Sequence, residues 1–214
     1  MKYRCIQTVF TSLLLPAICA HAATLTWDNG ASTGNWNTTD ANWTGSTWNN
    51  GTPDDAVFNT ITGAIALTEA ISAGSFTFGL TGSNTTGSFS GSALAVSGDL
   101  TAQALNTNGS GGPTLAFSNN VTVGGDVRLS RRVLEITGGT FTANRLISTD
   151  PWGRLLVSGG TVTMTNGIDD SILGGGNTMS VALFGGSLYT PYIKTTSAGF
   201  TSLPEDGVVL NGGT

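Results

Sequence analysis

The strongest constraint on the fold is an internal repeat: from Leu94 onward, one sequence motif occurs six times in succession. Each copy is an apolar-alternating strand, a small turn that is usually Gly-Gly, and a second alternating strand. The clearest copies are residues 134–142 (LEITGGTFT) and 156–163 (LVSGGTVT). Alternation with period two is typical of strands with one buried face. Units whose apolar face only a neighbour can cover predict a solenoid rather than a globule.

The spacing of the turn doublets predicts the size of one coil. The doublets begin at Gly98 (where Asp99 takes the second place), Gly124, Gly138, Gly159, Gly185 and Gly212. Their successive gaps are 26, 14, 21, 26 and 27 residues, and all but one suit a circuit of three short strands and three turns. That circuit is one coil of a parallel β-helix. The gap of 14 indicates either a tightened coil or a mispaired doublet.

Glycine doublets suit the corners of such a coil, because glycine adopts positive φ and lets stacked turns approach closely. The apolar positions on either side are expected to form interior ladders, with Leu134, Ile136 and Phe141 stacking on Leu155, Val157 and Val162. Each buried side chain of this kind stabilises by about 1.5–3 kcal/mol. We therefore expect stability to grow with the number of coils.

Residues 1–22 have the features of a secretory signal peptide: a basic start, an apolar stretch and the sequence Ala20-His21-Ala22. Cleavage is expected after Ala22, which predicts export. A membrane anchor fits less well because Pro16 interrupts a short apolar stretch. A lipoprotein modified at Cys19 fits less well because Ile18 lies where a small residue is needed.

Cleavage leaves 192 residues and removes both cysteines and the single histidine. The mature chain then has no means of Ser-His-Asp or Cys-His catalysis of the usual kind, and lacks the usual zinc ligands. It carries 6 basic and 13 acidic side chains, a net charge of −7, which disfavours nucleic-acid binding. No apolar run after the signal is long enough to span a membrane. Neither a cofactor nor a metal is expected.

The mature chain divides into a Trp-rich N-terminal cap, residues 23–58, and repeats over residues 59–214. The cap holds Trp27, Trp36, Trp43 and Trp48, four of the five tryptophans. It is well placed to cover the open edge of the first coil. Residues 208–214 form the first half of another repeat, so we expect further coils beyond Thr214.

The motifs of residues 23–58, called the head below, resemble a known family. Trp27-Asp28, Gly34-Asn35-Trp36, Ala41-Asn42-Trp43 and residues 53–58 (PDDAVF) precede the Gly-Gly-Thr repeats. This series is similar to the N-terminal region of autotransporter-associated β-strand repeat proteins, which are large exported bacterial proteins. The resemblance implies a right-handed parallel β-helix stalk, extracellular or on the outer cell surface of a bacterium. It brings no catalytic residues to this chain.

Two groups of side chains are candidate ligand-binding residues. Arg128, Arg131 and Arg145 lie in a basic stretch and could line one face that binds an anionic polysaccharide. The alternative, which we favour, is a solvated face paired with Asp126, Glu135 and Asp150. Trp36 and Trp43 could form a sugar-stacking platform, although packing in the cap is the favoured interpretation. Trp152 follows Pro151 and is the best candidate for an exposed aromatic outside the head, whereas Tyr189 and Tyr192 indicate a strand end.

Adjacent carboxylates occur at Asp54-Asp55, Asp169-Asp170 and Glu205-Asp206, each beside turn residues. Clustered carboxylates serve catalysis in β-helix polysaccharide lyases and glycosidases, but aspartates in turns more often cap their own backbone. The leading hypothesis is therefore a non-enzymatic exported β-solenoid that serves as a surface stalk or scaffold, with adhesion as one role. The second is a polysaccharide-binding module or a carbohydrate-active β-helix enzyme.

Overall fold

The chain folds as an all-β solenoid of parallel strands, so the predicted parallel β-helix is confirmed. The computed structural model describes residues 22–61, 63–79, 86–103, 114–150, 153–169, 179–194 and 208–210. Over these stretches there is no helix, and hence none that is long and apolar enough to cross a membrane. The strands form three faces, named here first, second and third in the order in which each coil visits them.

The strands are numbered in chain order. The first face holds β2 (Asn35–Trp36), β4 (Ala64–Leu67), β7 (Gly87–Gly91), β10 (Thr114–Phe117), β12 (Val133–Ile136), β14 (Gly153–Val157), β17 (Met179–Leu183) and β20 (Val208–Leu210). The second holds β5 (Ile71–Ala73), β8 (Leu94–Val96), residues 121–123 of β11 (Val121–Ser130), residues 140–143 of β13 (Thr140–Asp150), β15 (Thr161–Met164) and β18 (Ser187–Tyr189). The third holds β1 (Thr24–Thr26), β3 (Asp55–Phe58), β6 (Phe76–Phe78), β9 (Leu100–Gln103), the remainders of β11 and β13, β16 (Ile168–Asp169) and β19 (Ile193–Lys194).

Equivalent residues of successive coils pair in register, and their inward side chains form ladders along the solenoid. The ladders expected from the sequence are confirmed, because Leu134 pairs with Leu155, Ile136 with Val157 and Phe141 with Val162. These six side chains are fully buried. Strands in a sheet lie about 4.8 Å apart, so every coil covers the apolar interior of the one before it.

Aromatic rings fill the interior over the N-terminal half of the solenoid. The rings of Phe89 and Phe117 pair in the first face with centroids 5.3 Å apart, and Phe141 follows at 5.9 Å from Phe117. Towards the N-terminus, Phe58 lies 5.1 Å from Phe89 and 5.4 Å from Trp36. The rings of the head and of the first coils therefore belong to one continuous core.

The head differs from the coils in having antiparallel bridges, from Trp27 to Trp43 and from Trp43 to Ser46. A buried amide fixes its loop. The Nδ2 of Asn42 donates to Asn35 O at 2.8 Å and to a threonine hydroxyl, while its Oδ1 accepts from Ala31 N at 3.0 Å. Because these bonds satisfy an amide with no exposed surface, Asn42 organises the loop that carries the tryptophans.

Glycine doublets occur at two different corners, which explains the odd spacing. Gly139, Gly160 and Gly186 turn the chain from the first face to the second with φ of 65°, 72° and 72°. Gly98 and Gly124 lie between the second and third faces and are not among the glycines with positive φ. There the requirement is close approach, since a Cβ on Gly98 would lie 2.8 Å from Gly74 O. The gap of 14 residues therefore separates doublets at two different corners. Of the two alternatives, a mispaired doublet is the one that the structure shows.

Coil length varies almost entirely at the third corner, between the third and first faces. Inward residues on the first and second faces are separated by 4 positions from Phe117 to Val121 and by 5 from Val157 to Val162. From the third face to the first, the separation is 17 positions from Leu100 to Phe117. The same separation is only 9 positions in the next coil, from Val127 of β11 to Ile136 of β12.

Candidate functional site

A cluster of charged side chains occupies the corner where the second face meets the third. Asp126 lies at its centre, with Oδ2 accepting from Arg145 Nη2 at 2.9 Å and from Arg128 Nη2 at 3.5 Å. Its Oδ1 accepts from Asn144 Nδ2 at 2.8 Å. Arg128 Nε also donates to Asp99 Oδ2 at 2.9 Å. These residues come from three successive coils, so the cluster ties the coils together along the surface.

The cluster has two carboxylates and two guanidinium groups and is therefore neutral. Burial opposes ionisation of Asp126, but hydrogen bonds from Arg145 and Asn144 outweigh it and hold the pKa of this carboxyl below its ordinary value. The hydrogen bond to Asp126 raises the pKa of Arg145 in turn. The side chains of Arg128 and Arg145 are 39% and 33% exposed, so solvent weakens their ion pairs and each contributes little stability.

The structure assigns internal partners to two of the three arginines predicted as ligand-binding residues. Asp126 pairs with Arg128 and Arg145, as the favoured alternative predicted, and Asp99 is a partner that the sequence analysis missed. Glu135 instead accepts a hydrogen bond from Ser158 Oγ at 3.0 Å. The side chain of Asp150 lies outside the described residues.

Arg131 and Arg132 form the short third corner between β11 and β12. Arg131 is half-buried, has a φ of 53° and is engaged within the chain. Arg132 is fully buried, with its guanidinium 5.8 Å from the centroid of the Phe78 ring. Burial lowers the pKa of Arg132 to about 10, so it stays protonated at neutral pH. Arg132 therefore contributes nothing to an exposed basic face, and Arg131 is only partly exposed.

The tryptophans proposed as a sugar platform lie inside the molecule. The exposed fractions of Trp36 and Trp43 are 0% and 1%, and their rings lie 5.1 Å apart. A sugar can stack only on an exposed ring face, so the platform interpretation was wrong for these two residues, and packing in the core describes them. Trp152 lies outside the described residues.

In the carboxylate pair of the head, Asp54 caps backbone. Asp54 is 8% exposed, and its Oδ1 accepts from Ala23 N at 2.7 Å. Asp55 begins β3 on the third face. Asp169 ends β16, whereas Asp170, Glu205 and Asp206 lie outside the described residues. Within the described stretches, no three acidic, His or Cys side chains are grouped as a metal would require.

A small cleft opens beside the head, between Trp27, Asn29 and the start of β4. Its volume is about 40 Å³. A water molecule needs at least about 10–15 Å³ of such space, so the cleft has room for a few waters and is too small for a sugar ring.

Among the residues that the structure describes, three large aromatic side chains are exposed, and all three lie on the coil formed by β17, β18 and β19. The exposed fractions are 54% for Phe184, 60% for Tyr189 and 44% for Tyr192. In the parts of the chain that the structure describes, no other large hydrophobic residue is as exposed. An isolated exposed ring needs no explanation, but three exposed rings on one coil make this coil a candidate contact surface.

The fold and these surfaces define a parallel β-solenoid whose core is apolar and whose polar side chains largely join coil to coil. Comparisons with protein families, with curated proteins and with solved structures give no match for this chain.

Proposed function

We propose that this chain is a non-enzymatic, exported β-solenoid that acts as a surface stalk or scaffold. The observation that carries the proposal is the uninterrupted interior ladder from Ile65 through Phe89, Phe117, Ile136 and Val157 to Leu183. Such a stack gives a rod whose length is set by the number of coils, which is what a spacer requires.

The surface hydrogen bonds support the same role. Ser118, Thr137 and Ser158 follow equivalent strands of the first face, and each hydroxyl donates to a backbone carbonyl of the preceding coil. The Asp126 cluster joins three coils in the same way. Polar groups that could build an active site are thus used for cohesion between coils.

Export and the cap belong to the proposal as well. Residues 1–22 direct secretion, and the head closes the first coil, with Trp36 lying 6.3 Å from Phe76 and 6.5 Å from Phe89. The likeness of the head motifs to autotransporter-associated β-strand repeat proteins favours display on a bacterial surface. In a test of export, the secreted product should begin at Ala23 on N-terminal sequencing. A chain lacking residues 2–22 should stay inside the cell.

The scaffold role is tested by removing one coil in register. Deleting residues 134–154 joins Val133 to Leu155 and preserves the pairing of the first face, because residues 133 and 154 are register partners. The shortened chain should still unfold cooperatively and reach the cell surface, as measured by protease accessibility of a C-terminal tag. Deleting only residues 134–143 should abolish folding, because the register is lost. Equal failure of both deletions would contradict a modular rod.

A further inference from the structure

The coil formed by β17, β18 and β19 departs from the repeat at three positions, each time by gaining an exposed aromatic ring. Phe184 occupies the position of Ser118, Thr137 and Ser158. Each of these four amides donates to the carbonyl of a buried residue in the first-face strand one coil earlier, namely Phe89, Phe117, Ile136 or Val157. Phe184 lacks the hydroxyl that makes the second bond at the other three positions. Its ring is 54% exposed instead.

Tyr189 and Tyr192 show the same departure. Tyr189 pairs with Thr163, which pairs in turn with Thr142 on the outward side of the second face. Tyr192 follows Arg145 and Gly167 in the equivalent corner position. Its ring packs directly on Gly167, where an added Cβ would overlap the ring carbons. Contact with Gly167 therefore restricts the orientation of the Tyr192 ring.

The second face, which these rings border, differs from the other two in charge. The described strands of the first face carry Glu135 and Arg154, and those of the third carry seven charged residues: Asp55, Asp126, Arg128, Arg145, Asp150, Asp169 and Lys194. The strands of the second face carry none. Their outward side chains include Thr122, Thr142 and Thr163, in register on successive coils.

We propose that Phe184, Tyr189 and Tyr192, together with the threonine row of the second face, bind a neutral polysaccharide. Sugar rings pack their C–H faces on aromatic rings, and hydroxyl side chains both donate and accept hydrogen bonds with sugar hydroxyls. The absence of charge on this face, and the pairing of Arg128 and Arg145 with carboxylates, favour an uncharged ligand over an anionic one. This ligand is additional to the scaffold role, which stands without it.

The test is affinity electrophoresis of the purified exported chain in native gels. The gels contain a neutral polysaccharide (hydroxyethylcellulose, laminarin or dextran) or an anionic one (alginate or polygalacturonate). We expect at least one neutral polymer to retard the chain and the anionic polymers to leave its mobility unchanged. Retardation by the anionic polymers alone, or by none of the five, would overturn the proposal.

Variants that restore the repeat locate the site without disturbing the fold. Phe184→Ser reproduces Ser158, and Tyr189→Thr reproduces Thr163, so both should unfold at the temperature of the parent chain or above. Each should weaken binding about tenfold, the effect of losing about 1.4 kcal/mol of ring contact. Tyr189→Phe keeps the ring and should keep binding.

Leu156→Ala is the matched control, because it removes apolar surface from the outward side of the first face. It should leave retardation unchanged. Retardation that survives the Phe184→Ser and Tyr189→Thr double variant would place the site elsewhere and refute this proposal. If no polysaccharide retards the chain but the chain inhibits ice recrystallisation, the threonine row binds ordered water rather than a sugar, and the proposal is refuted. In either case the coil-deletion experiment still decides the scaffold role separately.

Discussion

Gly160→Ala should lower the free energy of unfolding by about 3 kcal/mol, because the added methyl group meets two obstacles. The φ of Gly160 is 72°, and an L-residue in this region costs about 1–2 kcal/mol. The Cβ would also strike the carbonyl oxygen of Gly139 on the preceding coil, and the backbone shift that relieves the clash costs about 1–3 kcal/mol. The lower entropy of alanine in the unfolded chain returns about 0.4–1 kcal/mol.

Two other glycines separate these effects. Gly45 has a φ of 71° and no atom within 4 Å of an added Cβ, so Gly45→Ala tests the backbone conformation alone. Gly98→Ala tests close approach alone, since its Cβ would lie 2.8 Å from Gly74 O and its φ is not positive. Each should cost about half as much as Gly160→Ala, or less.

Urea and thermal unfolding, followed by circular dichroism, measure the three variants. For a chain of this size, about 3 kcal/mol corresponds to a fall of roughly 6–12 °C in Tm. If Gly160→Ala were no more destabilising than Gly45→Ala, contact between stacked corners would not be what selects glycine there. Close approach of neighbouring coils would then be no reason for the glycine doublets.

Phe117→Ala removes a fully buried ring and should lower the free energy of unfolding by about 3–5 kcal/mol. Leu156→Ala should lower it by about 1 kcal/mol or less. Equal losses in Tm would contradict a core stacked on aromatic rings. Asn42→Ala leaves the backbone N–H of Ala31 without its acceptor and should lower the free energy of unfolding in urea by about 1–3 kcal/mol. An unchanged midpoint would show that the side chain of Asn42 does not fix the head. The pKa of Asp126 lies below its ordinary value, so the ionised carboxylate stabilises the fold. This stabilisation is present above about pH 4 and is lost as the pH falls through the lower pKa of the native state. Asp126→Asn should therefore shrink the difference in Tm between about pH 7 and pH 3, and a difference as large as in the parent chain would rule out this source of acid sensitivity.

The strands and ladders could be predicted because period-two alternation depends on local sequence alone. Leu134 and Leu155 belong to strands that the pattern marks clearly, and the equal distance of each from its glycine doublet sets the register. The corner to which a doublet belongs could not be predicted in this way. Gly98 and Gly160 both exclude a side chain next to a neighbouring coil, yet only Gly160 has positive φ, and the sequence does not distinguish the two.

The candidate site was harder to predict, because its contacts lie between coils. Arg128 finds Asp99 on the preceding coil, 29 residues away in sequence, and the direction of Trp36 depends on how the head closes. A signal for the exposed aromatic rings was nevertheless present. Aligning the repeats on their doublets places Phe184 before Gly185, where Thr137 and Ser158 precede Gly138 and Gly159, and this departure identifies the coil that carries the exposed rings.

The number of residues between the third and first faces differs from coil to coil, as the long separation of Leu100 and Phe117 shows against that of the next coil. This edge of the rod therefore tolerates changes in length. Peptides introduced between the third and first faces should leave every ladder of the first and second faces in register. The same peptides placed between Val157 and Val162 would separate paired strands. A solenoid of this design can therefore acquire new binding loops along one side while its length and core stay unchanged.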